Sequence, residues 1–156
     1  MAMPIVSKTK ILVSACLMGQ PVRYDGKYAS TGLKQLELLQ KQGRIVLLCP
    51  ETAAGLPIPR PAAEIKKGRV VTNEDQDMTG AFITGAQKAL DLCLRKGIKT
   101  AILKENSPSC GSKYIYDGSF SGTRISGEGK VTELLRANNI KVFSEYEIDI
   151  ALKSIS

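Results

Sequence analysis

Four short apolar runs, Ile11–Ala15, Ile45–Leu48, Thr100–Leu103 and Ile140–Phe143, are spaced along the chain with helical periodicity or turn chemistry between them. Runs of this length suit strands buried on both faces and are too short for a core helix. The spacing predicts a helix capped by Ser30 or Thr31, with Leu33, Leu36 and Leu39 on one face, ending near Gly43. A second helix is expected from Ala81 to Lys96, closed by Gly97, and a short one around Val131–Asn138. A terminal helix is expected from about Glu145. Strands alternating with helices build a parallel sheet covered on both faces. The expected fold is therefore one Rossmann-like three-layer α/β domain over residues 1–156, with a small, mostly parallel sheet. Asp117-Gly118, inside Tyr114–Phe120, predicts a hairpin excursion from that sheet. Four prolines at 50, 57, 59 and 61 predict an ordered loop over Pro50–Ala63 with little regular hydrogen bonding.

Composition excludes more than it assigns. Histidine is absent, which removes Ser-His-Asp and Cys-His nucleophile pairs and every histidine-containing metal site. Acid–base chemistry near neutrality falls to carboxylates, Lys, Tyr, Cys or metal-bound water. Lys and Arg number 22 against 15 acids, a net charge of +7, with no dense basic block of the kind that binds long nucleic acid. No apolar run approaches the roughly 20 residues that cross a bilayer. Val13-Ser-Ala-Cys16 resembles a lipoprotein cleavage box, but the apolar stretch before the cysteine is shorter than the ~7–15 residues of a signal core. The expected compartment is the cytoplasm, where cysteines point to metal or catalysis before disulfides. The acidic run Asn73–Asp77 lacks the spacing and the late Glu of a calcium loop, and complements the dipole of the helix that follows. No GxGxxG or Walker motif is present.

Cys16, Cys49 and Cys110 each follow a separate predicted strand, whereas Cys93 lies mid-helix on an apolar face with Ile83, Ala86 and Leu90. In open α/β sheets ligands bind beyond the carboxyl ends of the strands. Three thiols there can converge on one metal or cluster; the alternative is three unrelated core residues. Three cysteines without histidine cannot close a four-ligand structural zinc site. Glu51 follows Cys49 in Cys-Pro-Glu, and Ser107 precedes Cys110 in Ser-Pro-Ser-Cys-Gly, both on proline-stiffened loops. Arg60, in Pro59-Arg-Pro61, stands on a stiff loop near Cys49 and is a candidate anchor for an anion.

Ser14-Ala-Cys-Leu17, Arg23-Tyr-Asp-Gly26, Cys49-Pro-Glu51, Pro59-Arg60-Pro61 with Glu64, and Ser107-Pro-Ser-Cys-Gly111 occur in this order. With them the chain resembles the 2-thiouracil desulfidase family over roughly residues 9–145. The resemblance implies a [4Fe–4S] cluster held by Cys16, Cys49 and Cys110, with one iron open to the sulfur of a thiolated pyrimidine. It further implies that Glu51 is the catalytic acid/base and Ser107 the catalytic serine. The implied reaction is hydrolytic replacement of sulfur by oxygen in thiouracil or 4-thiouridine monophosphate, releasing hydrogen sulfide. The basic balance favours a small anionic ligand over long nucleic acid, its phosphate resting on Arg60, Lys113 or the backbone of Gly111 and Ser112. Two rivals stay open. A non-catalytic iron–sulfur or metal carrier or sensor explains the thiols but leaves Glu51 and Ser107 idle, and a nucleotide-binding module would use the cysteines as core.

Overall fold

A computed structural model describes residues 9–18 and 34–155. The expected cap at Ser30 or Thr31, Leu33 and the Arg23–Gly26 motif lie outside these residues. Four strands, β1 (Ile11–Ser14), β2 (Ile45–Leu48), β5 (Thr100–Leu103) and β8 (Lys141–Ser144), form one parallel sheet in the order β2-β1-β5-β8. Alternation along each strand splits the core into two layers, as the period of two requires. Leu12, Ala101, Leu103 and Val142 face α3 (Thr79–Lys96) and α4 (Lys130–Ala137), through Ala86, Ala89, Leu90, Cys93, Val131 and Leu135. Ile11, Val13 and Ile102 face the other way, against Leu36 and Leu39 of α1 (Lys34–Lys41) and Ile148 and Ala151 of α5 (Ile148–Lys153). This is the expected α/β three-layer arrangement with a parallel sheet.

The helices end where their sequences stop them. Gly97 takes a left-handed φ of 67° after α3, and its N–H bonds back to carbonyls of the last turn. Asp77 takes the N–H of Thr79 and pairs with Arg69, which holds its carboxyl well below the usual range and secures the start of α3. The buried face of α3 runs through Phe82 rather than Ile83, which is 54% exposed. Cys93 is wholly buried in the layer expected of it, and burial pushes its thiol up to about 11.

The expected proline loop is corrected at both ends. Pro50–Ala63 is not without regular hydrogen bonding, because it opens with a short helix, α2 (Pro50–Ala53). Proline at the first helical position forfeits only an N–H that has no intrahelical partner, and Ala53 N donates to Cys49 O at 2.8 Å. At the far end Ala63 begins β3 (Ala63–Lys66), paired antiparallel with β4 (Arg69–Thr72) across Lys67-Gly68, both at positive φ. Ile65 and Val70 pack with Phe82 and Ile115 in a third, small core beside the sheet. The expected hairpin is present as β6 (Tyr114–Tyr116) and β7 (Arg124–Ser126), joined by a longer connection than an Asp-Gly turn.

Two glycines set the approach of the helices to the strand ends. A Cβ on Gly85 would stand 2.3 Å from Pro50 O, so only glycine lets α3 seat α2 there. A Cβ on Gly129 would stand 2.5 Å from Ser109 O and 2.7 Å from Cys110 N. Its absence lets the start of α4 close on the loop after β5, where Lys130 N and Val131 N donate to Pro108 O and Ser109 O.

Candidate active site

Strand order reverses at β1, since the chain leaves it to one side for β2 and returns across it to β5. The loops after these strands diverge and leave a crevice, the usual ligand position in an open α/β sheet. A cavity of about 220 Å³ lies there, lined by Ser14–Cys16 at the end of β1, Cys49–Glu51 after β2 and residues 104–110 after β5. Ala62, Ala63, Glu64 and Tyr116, from the two hairpins, complete the wall. The three strand-end cysteines thus meet at one cavity, and Cys93 is not among its lining residues.

Each thiol is held by a different local device. Cys16 is buried in a 3-10 turn, Ala15–Met18, continuing β1. Cys49 is the extended residue that opens α2. Cys110 is buried, and its Sγ accepts from Ser14 Oγ at 3.6 Å and Ser109 Oγ at 3.5 Å. Its thiol is pushed up to about 12, first by burial, then by charge at Cys16 and Cys49, although the two serine hydroxyls act in the opposite direction. The Cys110 thiol therefore resists ionising beside the other two unless a cationic body shares the cavity. Among the described residues no group of three or more Cys, Asp or Glu side chains is arranged to hold a single metal ion. The donor set, three thiols on three loops, has the chemistry of a group that takes one thiolate per iron.

Glu51 reaches the cavity from the first turn of α2. Its Oε1 accepts from Arg60 Nε and its Oε2 from Ser109 Oγ, each at 3.3 Å. The Arg60 side chain is only 5% exposed and its Nη1 also donates to Pro57 O at 2.9 Å. Arg60 is absent from the cavity wall. The stiff proline loop therefore turns the guanidinium inward onto Glu51.

Ser107 lies in the loop, and counting its hydrogen bonds gives the network a direction. A serine oxygen has two lone pairs and one proton. Ser107 Oγ accepts the N–H groups of Ser109 at 3.0 Å and Cys110 at 3.1 Å, which occupies both lone pairs. Its proton then points to Ser109 Oγ at 2.8 Å, and the Ser109 proton points on to Glu51 or to Cys110 Sγ. Ser109, 1% exposed, links the two expected catalytic side chains.

Glu105 organises the same loop. Its Oε1 accepts N–H groups of Ser112 at 2.6 Å, Asn106 and Lys113 at 3.2 Å and Tyr114 at 3.5 Å, while Oε2 accepts Ser112 Oγ at 2.9 Å. Burial raises the Glu105 carboxyl, but these bonds outweigh it and hold the group below its ordinary value. Glu145 grips the loop from beyond β8, accepting Glu105 N at 2.8 Å and Lys104 Nζ at 2.9 Å. The amides of Ser112 and Lys113 are thus spent on Glu105, and Gly111 N donates to Ser107 O at 2.9 Å. Lys113 Nζ pairs with Glu147 at 3.2 Å. None of Arg60, Gly111, Ser112 and Lys113 lines the cavity, and among the described residues Lys104 is the lysine that does. Sequence reasoning passed over Ser109 and Glu105, although the first stands within Ser107–Gly111 and the second two residues before it.

A family model described as 2-thiouracil desulfurase matches residues 11–147. The chain is 38% identical over 149 residues to "Uncharacterized protein YbbK" of Bacillus subtilis (strain 168), covering 89% of this chain and 97% of that protein. Its fold matches a solved structure, the [4Fe-4S]-dependent thiouracil desulfidase TudS, with a TM-score of 0.93 and 51% identity. That match covers 94% of this chain and 97% of TudS.

Proposed function

Because the chain belongs to the 2-thiouracil desulfurase family, we propose that it is a [4Fe–4S]-dependent desulfidase that replaces the sulfur of a thiolated pyrimidine with oxygen from water. The observation that carries this reading is the meeting of Cys16, Cys49 and Cys110 with Glu51 and Ser107 at one cavity. A carrier or sensor would need the thiols alone, and would leave the chain of bonds from Arg60 through Glu51 and Ser109 to Ser107 without a task.

Cys16, Cys49 and Cys110 would hold the cluster. When bound, a cluster with three protein ligands supplies an open iron position, a Lewis acid toward a thiocarbonyl sulfur. The chain's own residues manage water and protons. Glu51, steadied by Arg60, takes a proton from water at a carboxylate oxygen as the water oxygen bonds to the ring carbon. As the C–S bond breaks, Ser107 turns its proton from Ser109 to the departing sulfur and, once that proton has left, regains one from Glu51 through Ser109, while the second water proton follows the sulfur. In the overall reaction one C=S double bond is replaced by a C=O double bond, sulfur leaves with both water protons as hydrogen sulfide, and no group is oxidised or reduced. Water must reach the cavity, and the half-buried Glu51 lets it.

The cavity favours the free base over a nucleotide. Among the described residues its charged lining consists of Glu51, Glu64, Glu105 and Lys104, and Lys104 is paired with Glu145. We take the working compartment to be the cytoplasm; no helix among the described residues is long and apolar enough to cross a membrane.

The test is anaerobic reconstitution with iron and sulfide, then incubation with 4-thiouracil in ¹⁸O-water. Uracil carrying ¹⁸O with an equal amount of sulfide supports the reading. A brown protein that leaves thiouracil intact favours the carrier or sensor, and a colourless one removes the cluster.

A further inference from the structure

Asn106 holds the one buried side-chain nitrogen or oxygen without a hydrogen-bond partner among the described residues, its Oδ1. The residue lines the cavity, between the loop organiser Glu105 and Ser107. Leaving a buried acceptor unpaired is costly, so a site that keeps one has a partner in mind for it.

The backbone fixes where this amide stands. Asn106 has a φ of 70°, in the left-handed region that asparagine tolerates better than most side chains. Its N–H donates to Glu105 Oε1 at 3.2 Å, and its backbone bridges to Ile115 of β6. The conformation is thus set before any ligand arrives. A primary amide offers one acceptor and, beside it, donor hydrogens. Its complement is a cyclic amide or thioamide edge, an N–H adjacent to a carbonyl or thiocarbonyl. Asparagine reads the donor–acceptor edge of adenine by the same geometry.

We infer that Asn106 recognises the N3–H edge of the pyrimidine, its Oδ1 accepting the ring N–H and its amide N–H facing the neighbouring carbonyl. It is a specificity-determining residue: it lines the cavity, its shielded Oδ1 has no partner in the protein, and no hydrogen bond opposes the turn of the side-chain amide that brings Oδ1 to the ligand. This inference rests on the desulfidase reading for its ligand class. The alternative occupant is an ordered water, which would make Asn106 a loop residue and no more.

The test uses the anaerobically reconstituted protein and two variants. Asn106→Gly removes the amide and keeps the left-handed backbone without strain. Asn106→Asp keeps the shape and the acceptor but loses the donor. Activities are normalised to iron content. For 4-thiouracil, Asn106→Gly is expected to lower kcat/KM by about 10–100-fold, the loss of one or two ligand hydrogen bonds. For the N3-methyl analogue, which has no N–H to offer, parent and Asn106→Gly should agree within about threefold. A second arm measures uracil binding by calorimetry, independent of turnover, and expects affinity to fall about tenfold or more in Asn106→Gly. Equal uracil affinity in parent and Asn106→Gly, or equal losses on both thiouracils, overturns the assignment in favour of water. A parent that binds uracil but does not desulfurise thiouracil overturns the desulfidase reading while the binding arm still decides Asn106. A parent that does not bind uracil overturns the Asn106 assignment.

Discussion

Replacing Glu105 by glutamine removes one charge from the loop that carries Cys110 and changes almost nothing else in shape. In the parent, Oε1 accepts four backbone N–H groups, three of them within 3.2 Å, and Oε2 accepts the Ser112 hydroxyl. A hydrogen bond to a charged group contributes about 1.5–3 kcal/mol, against about 0.5–1.5 for a neutral one. Three close N–H donors therefore lose about 3 kcal/mol together when the acceptor becomes neutral. Glutamine recovers part of this because it bears no buried charge to desolvate, leaving a net loss of about 2 kcal/mol. For a domain of this size that lowers Tm by about 4–8 °C at neutral pH. Thermal unfolding followed by circular dichroism across pH provides a second readout. The Glu105 carboxyl is held below its ordinary 4.5, so its stabilisation is full above that pH and fades as pH falls through the lower folded value. The gap between parent and variant should accordingly close on acidification below about pH 4.5. A Tm difference under about 2 °C at pH 7, or one that widens in acid, would refute the picture of Glu105 as the loop's internal anion.

Three further outcomes are expected. Glu51→Gln and Ser107→Ala should keep iron content while kcat for thiouracil falls about 10²–10⁴-fold, with Tm a few degrees lower because the first weakens the ion pair of the buried Arg60 and the second leaves two N–H groups without their acceptor; Ser109→Ala, which cuts the link between them, should lower kcat by about tenfold or more with KM little changed. Cys93→Ser should leave iron content unaltered but lower Tm, because a hydroxyl replaces a thiol in a wholly buried apolar layer; lost iron with unchanged Tm would contradict that placement. Since Arg60 is turned onto Glu51 and the amides of Ser112 and Lys113 serve Glu105, kcat/KM for 4-thiouridine monophosphate should not exceed that for 4-thiouracil, and a tenfold preference for the nucleotide would refute this account of the cavity's charge.

What the sequence disclosed, it disclosed through periodicity. Runs such as Ile45–Leu48 have the length and composition of buried parallel strands, so the layers, the strand ends and the positions of three cysteines at them were all readable. The β3–β4 hairpin was hidden because Lys67-Gly68 is a weak turn signal and the strands beside it carry Glu64, Lys66 and Arg69. Ile83 misled because a helix face is set by its neighbours as well as by its period, and α3 turns Phe82 inward. The direction of a side chain was the least legible property. Nothing in Pro59-Arg-Pro61 says whether Arg60 faces substrate or Glu51, and only the folded loop decides. Ser109 was overlooked for a similar reason, since its task depends on Glu51, which is 58 residues away.

Three cysteines on three strand ends are proposed to hold one cluster. Iron content after anaerobic reconstitution, measured for the parent and for Cys16→Ala, Cys49→Ala, Cys110→Ala and Cys93→Ala in parallel, tests it most directly. About four irons per chain are expected in the parent and in Cys93→Ala, with most of the iron lost in each of the other three. Full iron in any of those three variants, or equal loss in Cys93→Ala, would contradict the assignment.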